Sequence, residues 1–384
     1  MDIVATTRRK LLRFRFVRQG LVAAPDSLAR VTDVAALDAG VQDTGPDGSA
    51  WALAVRGAPT GARDSWDDDL FLAWTLRGAP HAYRRADIDD VAVATAPFSD
   101  EDAVKRIFDA SKPLREADLG ILDALRTVAD EQRRIVQEPT VKGDLSAALT
   151  ATMDAPFLRR CRPCDATHLY EQPFRLAALQ AGLVLEPGTS PPVLRRVTGF
   201  RGPRFRTSGA DAAPRFDVIR NVLRFAPGST RKDVTAVIDG AARDVRAHWP
   251  EDVVRVEVDG EHGGDERFAL AEDADTLADG AGPDERTVRL VGPFDLALQL
   301  RDRELLVPDP TARKDLWRTL GRPGGMIADG EILGSWRPRA SGRRVAVELH
   351  PWGDLTKADR SRIEVEAERL ATFRGRTFAG LTEG

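Results

Sequence analysis

The stretch GVQDTGPDGSAW, residues 40–51, places an amide, a carboxylate and a hydroxyl on three consecutive residues, Gln42, Asp43 and Thr44. Together they offer the mixed hydrogen-bond donors and acceptors that a reactive site needs. The same residues also suit a plain turn: Asp43 and Thr44 are turn and cap formers, GP and DG favour chain reversal, and Gln42 can satisfy a backbone group. A second polar group lies in RGAPH, where Arg77 can contact a phosphate and His81 can shuttle a proton or donate a hydrogen bond. A histidine there serves equally as a cap or a buried hydrogen-bonder.

Other candidates divide between surface chemistry and scaffold. In LRDREL, Arg301 and Arg303 suit phosphate contact or salt bridges with Asp302 and Glu304. The hairpin segment GEILGSWR carries Ile332, Leu333, Trp336 and Arg337. Its apolar side chains can wedge into a minor groove, although a tryptophan in a strand usually packs in a core. Arg8, Arg9 and Arg18 share one helix with apolar residues and act as phosphate contacts or as a solvated face. The two cysteines, Cys161 and Cys164 in CRPC, read as an incidental pair, because His168 alone does not complete a zinc site. With no metal-ligand cluster and no phosphate-cradling glycine loop, no metal and no nucleotide cofactor are expected.

A length of 384 residues suits two or three compact domains. No run of about 18 uncharged apolar residues occurs, and MDIVATTRRKLLRFRF is interrupted by Arg and Lys where a signal peptide needs an apolar stretch. A cytoplasmic protein without membrane contact is expected. The net charge of -4 conceals a partition. Residues 156–232 hold fourteen Arg or Lys against five Asp or Glu, residues 251–286 hold three against thirteen, and the first thirty hold seven against two. Such segregation suits a basic groove for phosphates with an acidic back, although an arginine-rich composition with only seven lysines also fits genomic base bias.

These groups must be positioned by an α+β chain. Helices are expected over 7–20, 33–40 and 49–57, the last capped by Ser49, followed by an irregular segment and a β-like VAVATA. That is the element order of a winged helix, within residues 1–117. A connecting helix over 118–135, the amphipathic TVKGDLSAALTATM, a helix through Gly182 and two strands make a second unit over 118–200, its wing bearing Arg195 and Arg196. Residues 201–285 repeat the order, with Ser229 or Thr230 as a cap before a hairpin of VVRVEVDG and ERFALAED. Residues 286–384 form a β-rich region with a tight DGE turn and a closing helix over 356–373.

The segments AGVQDTGPDGSAWALAVRG, WTLRGAPHAYRRADIDDV, VGPFDLALQLRDRELLVPD, GRPGGMIADGEILGSWR and EAERLATF, in this order, resemble the AlkZ-like family of winged-helix DNA glycosylases. The resemblance spans essentially the whole chain. It implies three tandem winged helices arranged as a C-shaped clamp on double-stranded DNA, acting as a monomer on alkylated or bulky purines. The family signature is a glutamine, an apolar residue, then glutamine or aspartate. Gln42 matches it; Asp43 and Thr44 depart from it. In that chemistry a cationic N7-alkylated base leaves readily, and the protein's task is to place a water beneath the anomeric carbon. Gln42 would place it, with Asp43 or Thr44 assisting. A non-catalytic regulator or lesion sensor on the same scaffold is the alternative, and a protein-contact module is a third.

Overall fold

The computed structural model describes residues 2–45, 47–59, 66–163, 165–260, 264–280, 282 and 285–384. Its organising element is a six-stranded antiparallel sheet, in the order Val41–Gln42, Pro80–Arg84, Leu70–Trp74, Leu183–Leu185, Val193–Arg196, Thr140–Val141. Two hairpins far apart in sequence thus meet edge to edge, with Leu72 opposite Leu185. Every residue of Leu70–Trp74 is buried, so both faces of that strand are covered. Leu70, Leu72 and Trp74 join one core with the helices Ile121–Ile135 and Glu171–Gln180, while Phe71 and Ala73 join another with Tyr83.

That second core explains a correction. VAVATA lies in and just beyond the helix Ile88–Ala94 and is not a strand; Ile88, Val91 and Ala92 turn to the sheet at helical spacing. Because its valines and alanines are all apolar, alternation carried no directional information. Residues 33–40, expected as one helix, are two 3-10 turns, Val31–Asp33 and Ala35–Asp38. The helix expected from Thr167 begins at Glu171, since Ala166–Leu169 pairs with Leu158–Cys161.

The remaining units match the expected element order more closely. Helices Val218–Phe225, Arg231–Ile238 and Ala242–Ala247 precede the strands Val253–Val258 and Arg267–Leu270. Thr230 is the cap, accepting from Asp233 N at 3.0 Å while Asp233 accepts from Thr230 N. The N-terminal residues join this unit: Ile3–Thr6 runs parallel to Val253–Val258, and helix Arg8–Arg18 buries Leu11, Leu12, Phe14 and Phe16 in a core shared with the C-terminal region. There Val288–Val291, Gly324–Ala328, Glu331–Ser341 and Arg344–Pro351 form an antiparallel meander, and Thr377–Glu383 adds in parallel after the helix Lys357–Phe373. Asp329 and Gly330, at φ 49° and 92°, make the expected tight turn. No helix among the described residues is long and apolar enough to cross a membrane.

One buried ion pair joins these parts. Arg56 makes two 2.8 Å hydrogen bonds to the Asp295 carboxylate, with both side chains almost wholly buried, and also donates to the Gln19 and Ala52 carbonyls. Removing one partner leaves a buried charge uncompensated. Arg56→Ala is expected to lose about 3–5 kcal/mol in chemical denaturation, and Asp295→Leu added to it to regain part of that loss; equal stability of wild type and single variant would contradict this role.

Candidate active site

Gln42 lies on a two-residue edge strand whose register sets it opposite His81. The strand is entered through Gly40, at φ 82°, where a Cβ would stand 2.4 Å from the Tyr83 ring. Only glycine fits that position. Beyond Gln42, the Asp43 carboxylate accepts from Ser49 N and Ser49 Oγ, each at 2.8 Å. Ser49 is therefore not the cap expected of it: it sits inside helix Gly48–Ala54, and Asp43 supplies the acceptor from six residues away.

The Gln42 amide is held at both ends. Its Nε2 donates to Thr44 Oγ1 at 3.0 Å, and its Oε1 accepts from Arg77 Nη2 at 3.2 Å. A guanidinium only donates, so it dictates which end of the amide faces it. Arg77 occupies a turn at φ 58°, a left-handed backbone that a non-glycine residue rarely adopts. Its side chain turns inward and also donates to the Val237 carbonyl and, at 3.5 Å, to Gln299 Oε1. Burial and repulsion from Arg301 push its pKa down to about 10.

His81 is 4% exposed. Its Nδ1 lies 3.0 Å from both the Ala79 carbonyl and Thr75 Oγ1, so Nδ1 carries the proton. Thr75 Oγ1 also meets Tyr83 Oη at 2.9 Å. Burial, then the charge of Arg77, pushes the His81 pKa down to about 3. The ring is neutral at neutral pH, which removes its basis as a proton shuttle.

Gln42 forms part of the wall between two cavities. One, of about 210 Å³, is lined by Gln42, Thr44, Phe294, Arg322 and Arg337. The other, of about 50 Å³, lies among apolar residues with His81, Tyr83 and Arg77.

The other candidates separate clearly. Trp336 is 2% exposed and donates Nε1 to the Val291 carbonyl at 2.9 Å, so it belongs to the core and not to a wedge. Arg8 ties to the Leu305 and Leu306 carbonyls at 2.7 and 3.0 Å, and Arg18 pairs with Asp273. Both are scaffold contacts. Arg9 is exposed on the same helix. Arg196 donates to the Arg133 carbonyl, and Arg195 stands beside it on the same strand. Arg301 and Arg303 do not pair with Asp302 or Glu304: Asp302 turns inward to Arg15 at 2.7 Å, and Glu304 faces Arg313 at 3.7 Å. Much of the basic surplus over 156–232 is answered by carboxylates, as in Arg175 with Glu171, Arg220 with Asp252, and Arg215 and Arg224 with Asp38. Cys161 is buried, and Cys164 lies outside the described residues. Arg322, Gln299, Thr75 and Tyr83 were not anticipated: Arg322 shares the larger cavity with Gln42, Gln299 meets Arg77, and Thr75 and Tyr83 surround His81, contacts set by folding and not by a motif.

The sequence profile described as DNA glycosylase AlkZ-like matches residues 31–373. The chain belongs to the AlkZ-like DNA glycosylase family. Among solved structures, the Streptomyces sahachiroi DNA glycosylase AlkZ matches with a TM-score of 0.72 at 18% identity, over 100% of both chains, which establishes a shared fold. A comparison with curated protein sequences gives no match.

His81 yields a pH prediction. Its pKa falls from an ordinary 6.5 to about 3, so the unfolded state takes up the proton first as pH drops. The stability it contributes is complete above about pH 6.5 and is lost toward pH 3. Urea unfolding between pH 7 and 4 is expected to weaken more steeply for the wild type than for His81→Gln, and parallel declines would contradict the assignment.

Proposed function

We propose that this protein is a monofunctional DNA glycosylase that hydrolyses the N-glycosidic bond of alkylated or bulky N7-purine adducts, with a water placed by Gln42. The observation that carries the reading is the Gln42 amide, fixed at both ends on the wall of the 210 Å³ cavity, at the residue that the family resemblance aligns with the signature glutamine. One lone pair of Oε1 is taken by Arg77 and the other remains for a water. A base that departs as a neutral purine needs little proton assistance, so placement of water is the main requirement. Thr44 acts here as a positioning residue, since its hydroxyl receives the Gln42 amide. Asp43 acts by capping helix Gly48–Ala54 rather than by touching the water.

In this proposal three winged-helix units form a C-shaped clamp around double-stranded DNA, and the protein works as a cytoplasmic monomer without metal or cofactor. Arg9, Arg195, Arg196, Arg301, Arg303 and Arg337 meet the phosphates, with sequence-independent, salt-sensitive affinity. A second reading, a lesion sensor without catalysis, draws on one observation. Among the described residues no carboxylate joins the chain from Arg77 through Gln42 to Thr44, and a guanidinium beside the reacting centre opposes positive charge on the sugar.

Single-turnover release of a modified base from an N7-alkylguanine duplex separates the two. Gln42→Ala is expected to slow release by about 10²–10³-fold with duplex affinity retained. No release by the wild type, with duplex binding intact, selects the sensor. Asp43→Ala is expected to lose about 1 kcal/mol of stability through the lost cap, while Asp43→Asn does not, and neither changes the release rate at full folding.

A further inference from the structure

Arginines in this chain commonly face a carboxylate, but several around the candidate site do not. Among the described residues, Arg77, Arg301, Arg303 and Arg322 have no carboxylate within ion-pair distance. Arg303 lies over the Trp317 ring at 5.0 Å and Arg322 over the Phe294 ring at 5.3 Å, contacts that place a guanidinium without neutralising it. Nε of Arg301, Nε of Arg303 and Nε2 of Gln299 are buried with no hydrogen-bond partner. Burial and repulsion from Arg301 lower the pKa of Arg303 to about 10 and also lower that of Arg322. The nearest acids in sequence, Asp302 and Glu304, are engaged elsewhere.

Such a cluster is unfavourable unless an anion completes it. Its placement suggests which one. Arg301 and Arg303 line a groove of about 1270 Å³, whereas Arg322 lines the cavity holding Gln42 and Thr44. The groove lining carries as many carboxylates as basic groups, but Arg301 acts electrostatically on Arg77, Arg303 and Arg322 alike, so the uncompensated charge is shared by residues of the groove and of the cavity, where a phosphodiester strand would meet it.

We infer that Arg301, Arg303 and Arg322 form a phosphodiester subsite for the lesion-bearing strand, and that the bound phosphate offsets the positive field of Arg77 at Gln42. The inference rests on the DNA reading above, but its test does not require base release. Each phosphate contact contributes about 0.9 to the slope of log affinity against log salt for duplex DNA. The double variant Arg301→Gln/Arg322→Gln is expected to bind an unmodified duplex with a slope shallower by about 2 and with a melting temperature equal to or above the wild type, because repulsion is relieved. Arg301→Lys/Arg322→Lys restores the slope. Wild-type slope in the Gln variant, or a lowered melting temperature with unchanged slope, overturns the subsite. Pyrophosphate supplies the second arm: if it stabilises the wild type but not the Gln variant, while the duplex slopes are equal, the anion is a free polyphosphate and the backbone assignment fails. A shallower slope with no base release by any form leaves the subsite standing and removes the glycosylase reading.

Discussion

The Arg56–Asp295 pair is the constraint on which the site depends. Arg56 follows the helix that Asp43 caps, and Asp295 opens the short helix Leu296–Gln299 by accepting from Ala297 N at 2.9 Å. Locking these two residues fixes Phe294 and Gln299 against the strand that carries Gln42. Because Arg56 also donates to the Gln19 carbonyl, the N-terminal helix is held in the same network. A fully desolvated pair is a weak source of net stability, yet its geometry is exacting, which suits a contact between segments 239 residues apart.

Arg77 then sets the electrostatic character of the site. Inward rotation makes it the partner of Gln42 and of the Val237 carbonyl instead of a surface phosphate contact. The amide gains a defined orientation, and the wall of the smaller cavity gains a positive charge with no carboxylate at ion-pair distance among the described residues. His81 does not offset it, being neutral. In the reaction proposed above, a phosphate near this charge would offset it where positive charge develops on a sugar.

Hydrophobic periodicity was enough to read the third unit, the C-terminal hairpin turn and the closing helix, because each buries one face locally. It failed at VAVATA, where every residue but Thr95 is apolar, and at 33–40, where the extended backbone of Val34 separates two short turns. It also missed Ile3–Thr6, whose strand partner among the described residues, Val253–Val258, lies some 250 residues away. Among site residues, Gln42 and Thr44 were visible from their motif, and Arg301 and Arg303 from their charge. Trp336 was ambiguous between wedge and core until the Val291 carbonyl supplied a partner for its indole.

Local residue chemistry by itself determined that an amide, a carboxylate and a hydroxyl stand together on one turn, and the resemblance to the AlkZ-like signature extends to Gln42 but not to Asp43 or Thr44. Tertiary structure alone decided how they divide the work. Asp43 meets Ser49, Thr44 meets the Gln42 amide, and Gln42 meets an arginine 35 residues on, across a hairpin. The physical reason is that a polar group's role follows from which partner remains once burial has removed water, and that partner is chosen by long-range packing.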